Sequence, residues 1–327
     1  MKDYMNFEDK SWSREPKLMR QLWAVIKYEL LWNIRKKKFL GVLIVAFAIT
    51  TLNLTLPVIL RRTYDMPIES NPNYIVSNSG IGGLMLFLFA LVTVMNSISG
   101  EFESGTIVPL LTKPISRTLI LIGKIAAAFI TIFAAYLLLY TYMIVGGTII
   151  YGPQNNLDLT PLCILGDLLS TFVWVSIILA LGSLTKNTIL TSVIAIMVFL
   201  AMNIGSSIIS VFTESAWMLH YLPGNGAAGY IKVEGQPTAY AGSISTGTDN
   251  ITKMIIQYYL HPSANVTYVK VELRGGSPQG GLSSLLKELY SEPLSLVLFR
   301  AISVAAAYII ALITLAWYIF KRAQILE

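Results

Sequence analysis

Six long apolar runs punctuate this chain: Phe39–Leu60, Gly80–Ser99, Leu119–Ile150, Leu162–Leu184, Thr188–Phe212 and Leu294–Phe320. A helix needs about 20 apolar residues to cross about 30 Å of hydrocarbon. Each run meets that length, and the third is long enough to tilt or protrude. Lipid offers backbone groups no partner, so each run must satisfy its own hydrogen bonds, and the runs predict helices. A strand barrel would instead show many alternating segments of about ten residues. The pattern predicts an all-α membrane protein with six transmembrane helices.

Outside the runs the pattern changes. From Pro16 to Lys36, Met19, Leu22, Trp23, Ile26 and Leu30 recur at helical spacing, with Arg20, Gln21 and Lys27 off the stripe. With Trp32 and the basic run Arg35-Lys36-Lys37-Lys38, this predicts an amphipathic elbow helix lying on the inner leaflet. The stretch 213–293 is rich in glycine, proline, serine and asparagine. In it, Thr267–Leu273 alternates as a short strand, Leu282–Leu289 reads as a short amphipathic helix stopped by Pro293, and Thr213–Leu222 reads as another helix. The organisation is a tail and elbow helix (1–38), spans one to five with a polar connector at 100–118 (39–212), an external cap (213–293), and span six with a tail (294–327).

Composition agrees. The chain is 54% hydrophobic and only 13% charged, against about 25% charged in a soluble domain. The net charge of +6 does not point to nucleic acid, because ten of the 24 basic residues precede the first run. That bias places both termini in the cytoplasm of a multi-pass protein of the cell membrane, with its basic segments against membrane lipids. The first apolar run starts too late and runs too long for a cleavable signal. A single cysteine, Cys163, excludes an intrachain disulfide and a cysteine metal site. The two histidines, His220 and His261, lie in the cap without ligand spacing and read as surface or hydrogen-bonding residues. No catalytic constellation, phosphate-binding loop or metal site is present in the sequence, so no cofactor is expected on this chain.

The connector after span two carries the functional signal. It reads Gly100-Glu101-Phe102-Glu103-Ser104-Gly105-Thr106, then Leu110-Leu111, Pro114-Ile115-Ser116-Arg117 and Gly123-Lys124. Its acidic start suits a helix N-terminus and Pro114 stops it. In spacing and placement this resembles the signature of permease subunits of type-two ABC exporters. The resemblance extends to the whole layout: elbow helix, six spans, connector after span two, insertion between spans five and six. It implies that the connector is a coupling helix seated in a cytoplasmic ATPase, with Glu101, Phe102, Glu103, Gly105, Thr106, Pro114, Arg117 and Lys124 as the coupling residues. It further implies two ABC ATPase subunits that bind ATP and magnesium, and a second permease copy or homologue. The stretch 213–293 departs from the family, being longer than its usual re-entrant hairpin. By analogy with relatives that mature copper enzymes, it would serve an external partner.

Charged residues inside the runs are few. Asp167 in span four and Arg300 in span six lie at similar depth with opposite sign, which predicts an intramembrane ion pair. Gly146-Gly147 and Gly205 predict close helix contacts. Asn250 and Asn265 open glycosylation-type triplets in the cap. Two other classes stay open on the residues alone: an ion-driven secondary carrier, and a non-transporting scaffold that presents the cap.

Overall fold

The computed structural model describes residues 17–35, 37–67, 70–105, 116–206, 208–209, 216–233, 242–274 and 283–322. Among the described residues, six helices are long and apolar enough to cross a bilayer: span one Lys37–Thr63, span two Gly83–Glu103, span three Arg117–Tyr151, span four Leu157–Thr185, span five Thr188–Gly205 and span six Leu294–Arg322. They fall on the six apolar runs. The N-terminal helix, Lys17–Arg35, precedes them.

Span four is the centre of the bundle, buried almost throughout, while spans one, five and six expose most of their surface. Its fully buried Trp174 packs edge-on against Phe87 of span two at 5.4 Å, and Phe87 stacks on Phe199 of span five at 4.4 Å. Lipid is as apolar as leucine, so such interdigitation, rather than escape from water, holds spans together. Gly147 shows how close the approach is: a Cβ there would lie 2.7 Å from Ile75 Cγ1. Gly146 is equally tight against Leu54, whereas a Cβ on Gly205 would meet nothing within 4 Å among the described residues.

Span one contains Pro57. Proline has no N–H, so it strands the carbonyl four residues earlier, that of Asn53, which lipid cannot satisfy. Two tyrosines donate to this stretch. The Tyr74 hydroxyl donates to the Asn53 carbonyl, and the Tyr151 hydroxyl donates to the Leu54 carbonyl at 2.8 Å. The two rings stack at 3.8 Å.

The insertion between spans five and six holds a four-stranded antiparallel sheet in the order β2-β1-β3-β4, with β1 Ala228–Lys232, β2 Gly242–Ser245, β3 Asn265–Arg274 and β4 Ser283–Pro293. The expected strand at Thr267–Leu273 is β3. The helix expected at Leu282–Leu289 is instead strand β4. Its apolar positions fit a helical stripe, but a long partner strand was available, and the two pair from Asn265 opposite Pro293 to Arg274 opposite Ser283. Around Leu222 the expected helix is a short 3-10 segment, Ala216–Tyr221, with 213–215 outside the described residues. A further helix, Ile251–Leu260, dips back among the spans. It buries Asn250, whose amide reaches Asn225 at 3.3 Å, so that triplet is no exposed acceptor.

Candidate functional site: the connector end of the bundle

Span two ends in a short helix, Ser99–Glu103, that opens the connector. Gly105 closes it with a φ of 67°, the left-handed geometry in which helices commonly stop. Thr106 and Pro114 lie outside the described residues. Glu101, Phe102, Glu103, Arg117 and Lys124 each contact a neighbouring element.

Lys124 lies two turns into span three and is buried. Its ammonium sits 2.5 Å from Glu29 Oε1 on the N-terminal helix and 2.7 Å from Glu101 Oε1 on the connector. One cation therefore joins three elements. Glu101 Oε2 is buried without a hydrogen-bond partner among the described residues. Beside the trio, a Cβ on Gly123 would lie 2.6 Å from Val25 Cγ1, so the glycine lets the N-terminal helix close onto span three.

Glu103 Oε2 accepts from the Thr188 backbone N–H at 2.9 Å, the first residue of span five. A carboxylate is favoured there because the opening N–H groups of a helix carry partial positive charge. Lys186, in the turn before span five, places its ammonium 5.3 Å from the centre of the Phe102 ring, and Phe320 of span six meets that ring edge-on at 6.3 Å. Arg117, at the start of span three, donates to the Lys321 carbonyl at 2.9 Å. The cation thus caps the last turn of span six, where carbonyls lack helical partners. Trp317 adds an indole hydrogen bond to Thr118 at 3.0 Å. The connector residues are brought together with the N-terminal helix and spans three, five and six.

Glu29 is the residue the sequence reading missed. The apolar stripe includes Met19 and Trp23, yet both are exposed. The inward face is Leu22, Val25, Ile26, Glu29 and Asn33 instead. The signal was two polar residues four apart on one helical face.

At the opposite end, the expected Asp167–Arg300 pair is not formed. Asp167 Oδ2 accepts from the Ile81 N–H at 3.0 Å and the Tyr140 hydroxyl at 2.8 Å, and Oδ1 meets the Thr252 hydroxyl at 2.6 Å. Arg300 turns to Glu292 at the end of β4, at 2.6 Å and 3.3 Å. Helix rise gives depth but not the direction a side chain faces, and β4 runs straight into span six, putting Glu292 beside Arg300. A second carboxylate, Asp249, accepts from Trp174 Nε1 at 2.8 Å, while its Oδ2 finds no hydrogen-bond partner among the described residues. Burial pushes the Asp249 carboxyl up to about 7, against the Trp174 indole and the nearby Asn203 and Thr248 side chains. His220 is buried between Thr246 and Tyr290, 3.1 Å and 2.9 Å from its two ring nitrogens. Burial, with Arg300 nearby, pushes it down to about 4.

No curated protein matches the chain in sequence. The profile of the ABC-2 family transporter protein matches residues 23–325, from inside the N-terminal helix to beyond span six. A six-span bundle whose connector binds together its neighbouring helices is what that match covers, and the chain belongs to the ABC-2 transporter family as a multi-pass ABC transporter permease.

Proposed function

We propose that this permease exports its substrate by converting ATP hydrolysis in two separate cytoplasmic ATPase subunits into movement of its spans, and that the connector 100–118 is where those subunits grip. The observation that carries the reading is the Glu29–Lys124–Glu101 trio, continued by Glu103 onto span five and Arg117 onto span six. A push on the connector would be passed on, because its polar contacts reach spans three, five and six directly and the N-terminal helix through Lys124. The direction of energy flow follows from nucleotide binding more tightly to the closed ATPase pair, which favours the span arrangement linked to it. ATP and magnesium belong to the partner subunits.

The connector end is placed in the cytosol by the excess of Lys and Arg there. The N-terminal helix would lie on the inner leaflet, since it exposes Leu18, Met19, Trp23, Trp32 and Ile34 outside its packed face. Spans one and five expose long apolar faces, which supports a second permease copy or homologue across the path. The insertion then faces outward, where it is free to meet an external partner.

The test is the double variant E101Q/E103Q in the assembled transporter reconstituted in vesicles. The expected result is retained ATP hydrolysis with transport per ATP reduced at least ten-fold. Unchanged coupling would overturn the reading, as would ion-gradient-driven transport by the chain without ATPase.

A further inference from the structure

Asn53 stands in the second half of span one, about 24 Å along the helix from Lys37 and about 15 Å from Thr63. It is exposed. Its polar neighbours in the same helix are satisfied within it: Thr50, Thr51 and Thr55 each donate to a carbonyl four residues back. Asn78 and Asn203 do the same with their amides. The Asn53 amide forms no hydrogen bond among the described residues. In hydrocarbon such an amide gives up its bonds to water and gains none in return. Its position is fixed all the same, because Pro57 leaves the Asn53 carbonyl to the Tyr74 hydroxyl, and Tyr151 holds the next carbonyl.

Ile49 and Leu56, one turn before and after Asn53 on the same side of the helix, are exposed too. Asn53 also borders Gly80, Ile81 and Gly82 at the start of span two, the helix whose other end opens the connector. Ile44, nine residues before Asn53, lies half a turn round the helix and is 68% exposed. In a contact between copies, span five offers the amide no match. Among its described residues every exposed one is apolar, Ile189, Val193, Met197 and Ile204 included. Water supplies both the donor and the acceptor that an amide takes. We infer that the Asn53 side of span one lines the water-filled path the cargo takes, and that the Ile44 side faces lipid. The inference rests on the proposed pair of permease copies enclosing that path.

The experiment reconstitutes the assembled transporter in vesicles carrying N53C, I49C, L56C or I44C, one at a time. Each is treated with 2-sulfonatoethyl methanethiosulfonate, a charged reagent that attacks thiols in water and enters hydrocarbon poorly. Cys163 is the single native cysteine and is buried, so the protein without these substitutions supplies the blank. All four positions are exposed, so the cysteines disturb no packed contact. N53C is expected to react at least ten-fold faster than I44C, with I49C and L56C also ahead of I44C. Trapping the ATPase with ATP and vanadate is expected to change the N53C rate several-fold. N53C reacting no faster than I44C overturns the inference, because that side then faces lipid. A disulfide between two copies of N53C under mild oxidation, without reaction toward the reagent, overturns it in favour of a contact between copies. Fast reaction that ignores ATP and vanadate supports the path and counts against ATP-driven movement alone, so the two readings fail separately.

Discussion

At the connector end, elements far apart in sequence are joined through full charges: Glu29, Lys124 and Glu101 in one trio, Glu103 on a helix start, Arg117 on a helix end. At the insertion end, elements equally far apart are joined mainly through uncharged donors: a backbone N–H, two hydroxyls and an indole, all converging on two carboxyls of span four and the insertion. Buried charges are costly to separate and sensitive to geometry, and both buried partners must stay matched. A hydrogen-bonded network with few ions is less costly to build and fixes one arrangement. The contrast suits a mobile end that transmits force and a fixed end against which it works.

The sharpest way to break this comparison is K124M. Removing the cation leaves Glu29 and Glu101 buried and uncompensated, a loss of about 3–5 kcal/mol for a buried ion pair cut on one side. A thermal melt of the purified protein is expected to show it. Adding E29M and E101M should restore most of the stability, because well-packed apolar side chains of similar volume replace a buried ion pair at little cost. If the charges transmit force, the triple variant stays uncoupled despite being stable. If coupling returns with stability, the trio is only packing.

D167N probes the other end. The amide oxygen can keep the Ile81 N–H and the Tyr140 hydroxyl, and its N–H₂ can donate to Thr252, whose hydroxyl then donates to the Cys163 carbonyl at 3.0 Å. The expected cost is about 1 kcal/mol, a charged acceptor exchanged for a neutral one. Coupling between ATP hydrolysis and transport should be unchanged in the surviving protein. Loss of coupling here as large as at Lys124 would erase the distinction between the two ends.

The spans were legible because about 20 apolar residues in a row admit few other fates. The connector was legible because its acidic pair, glycine and basic boundary stand at fixed spacing. What was not legible is facing. Asp167 and Arg300 share a depth and look away from each other: Asp167 finds its partners in the insertion, in span three and in the loop before span two, distant in sequence, while Arg300 finds Glu292 at the strand end that leads into its own helix. The N-terminal helix turned Glu29 inward although a more apolar stripe was on offer, because a buried lysine 95 positions later required it. Residues 283–293 became a strand because β3 offered a ladder that local periodicity cannot reveal.

A comparison across pH divides the insertion end itself. Asp249 holds its proton up to about 7 in the fold, against 3.8 in an unfolded chain, so it destabilises progressively as pH rises from about 4 to 7. His220 stays neutral down to about 4, against 6.5 unfolded, so it destabilises progressively as pH falls from 6.5 to 4. Between pH 4 and 6.5 the two slopes oppose, and the wild-type melting temperature should change little from this pair. H220Q, whose amide can still bridge Thr246 and Tyr290, should leave the Asp249 slope bare, with stability falling as pH rises. D249N should leave the His220 slope bare, with stability rising with pH. Melting curves at half-unit steps from pH 4 to 7.5 would show the two variants tilting in opposite directions. Parallel curves would mean that neither group titrates against a buried neutral surround, and the insertion end would then be no different in kind from the charged end.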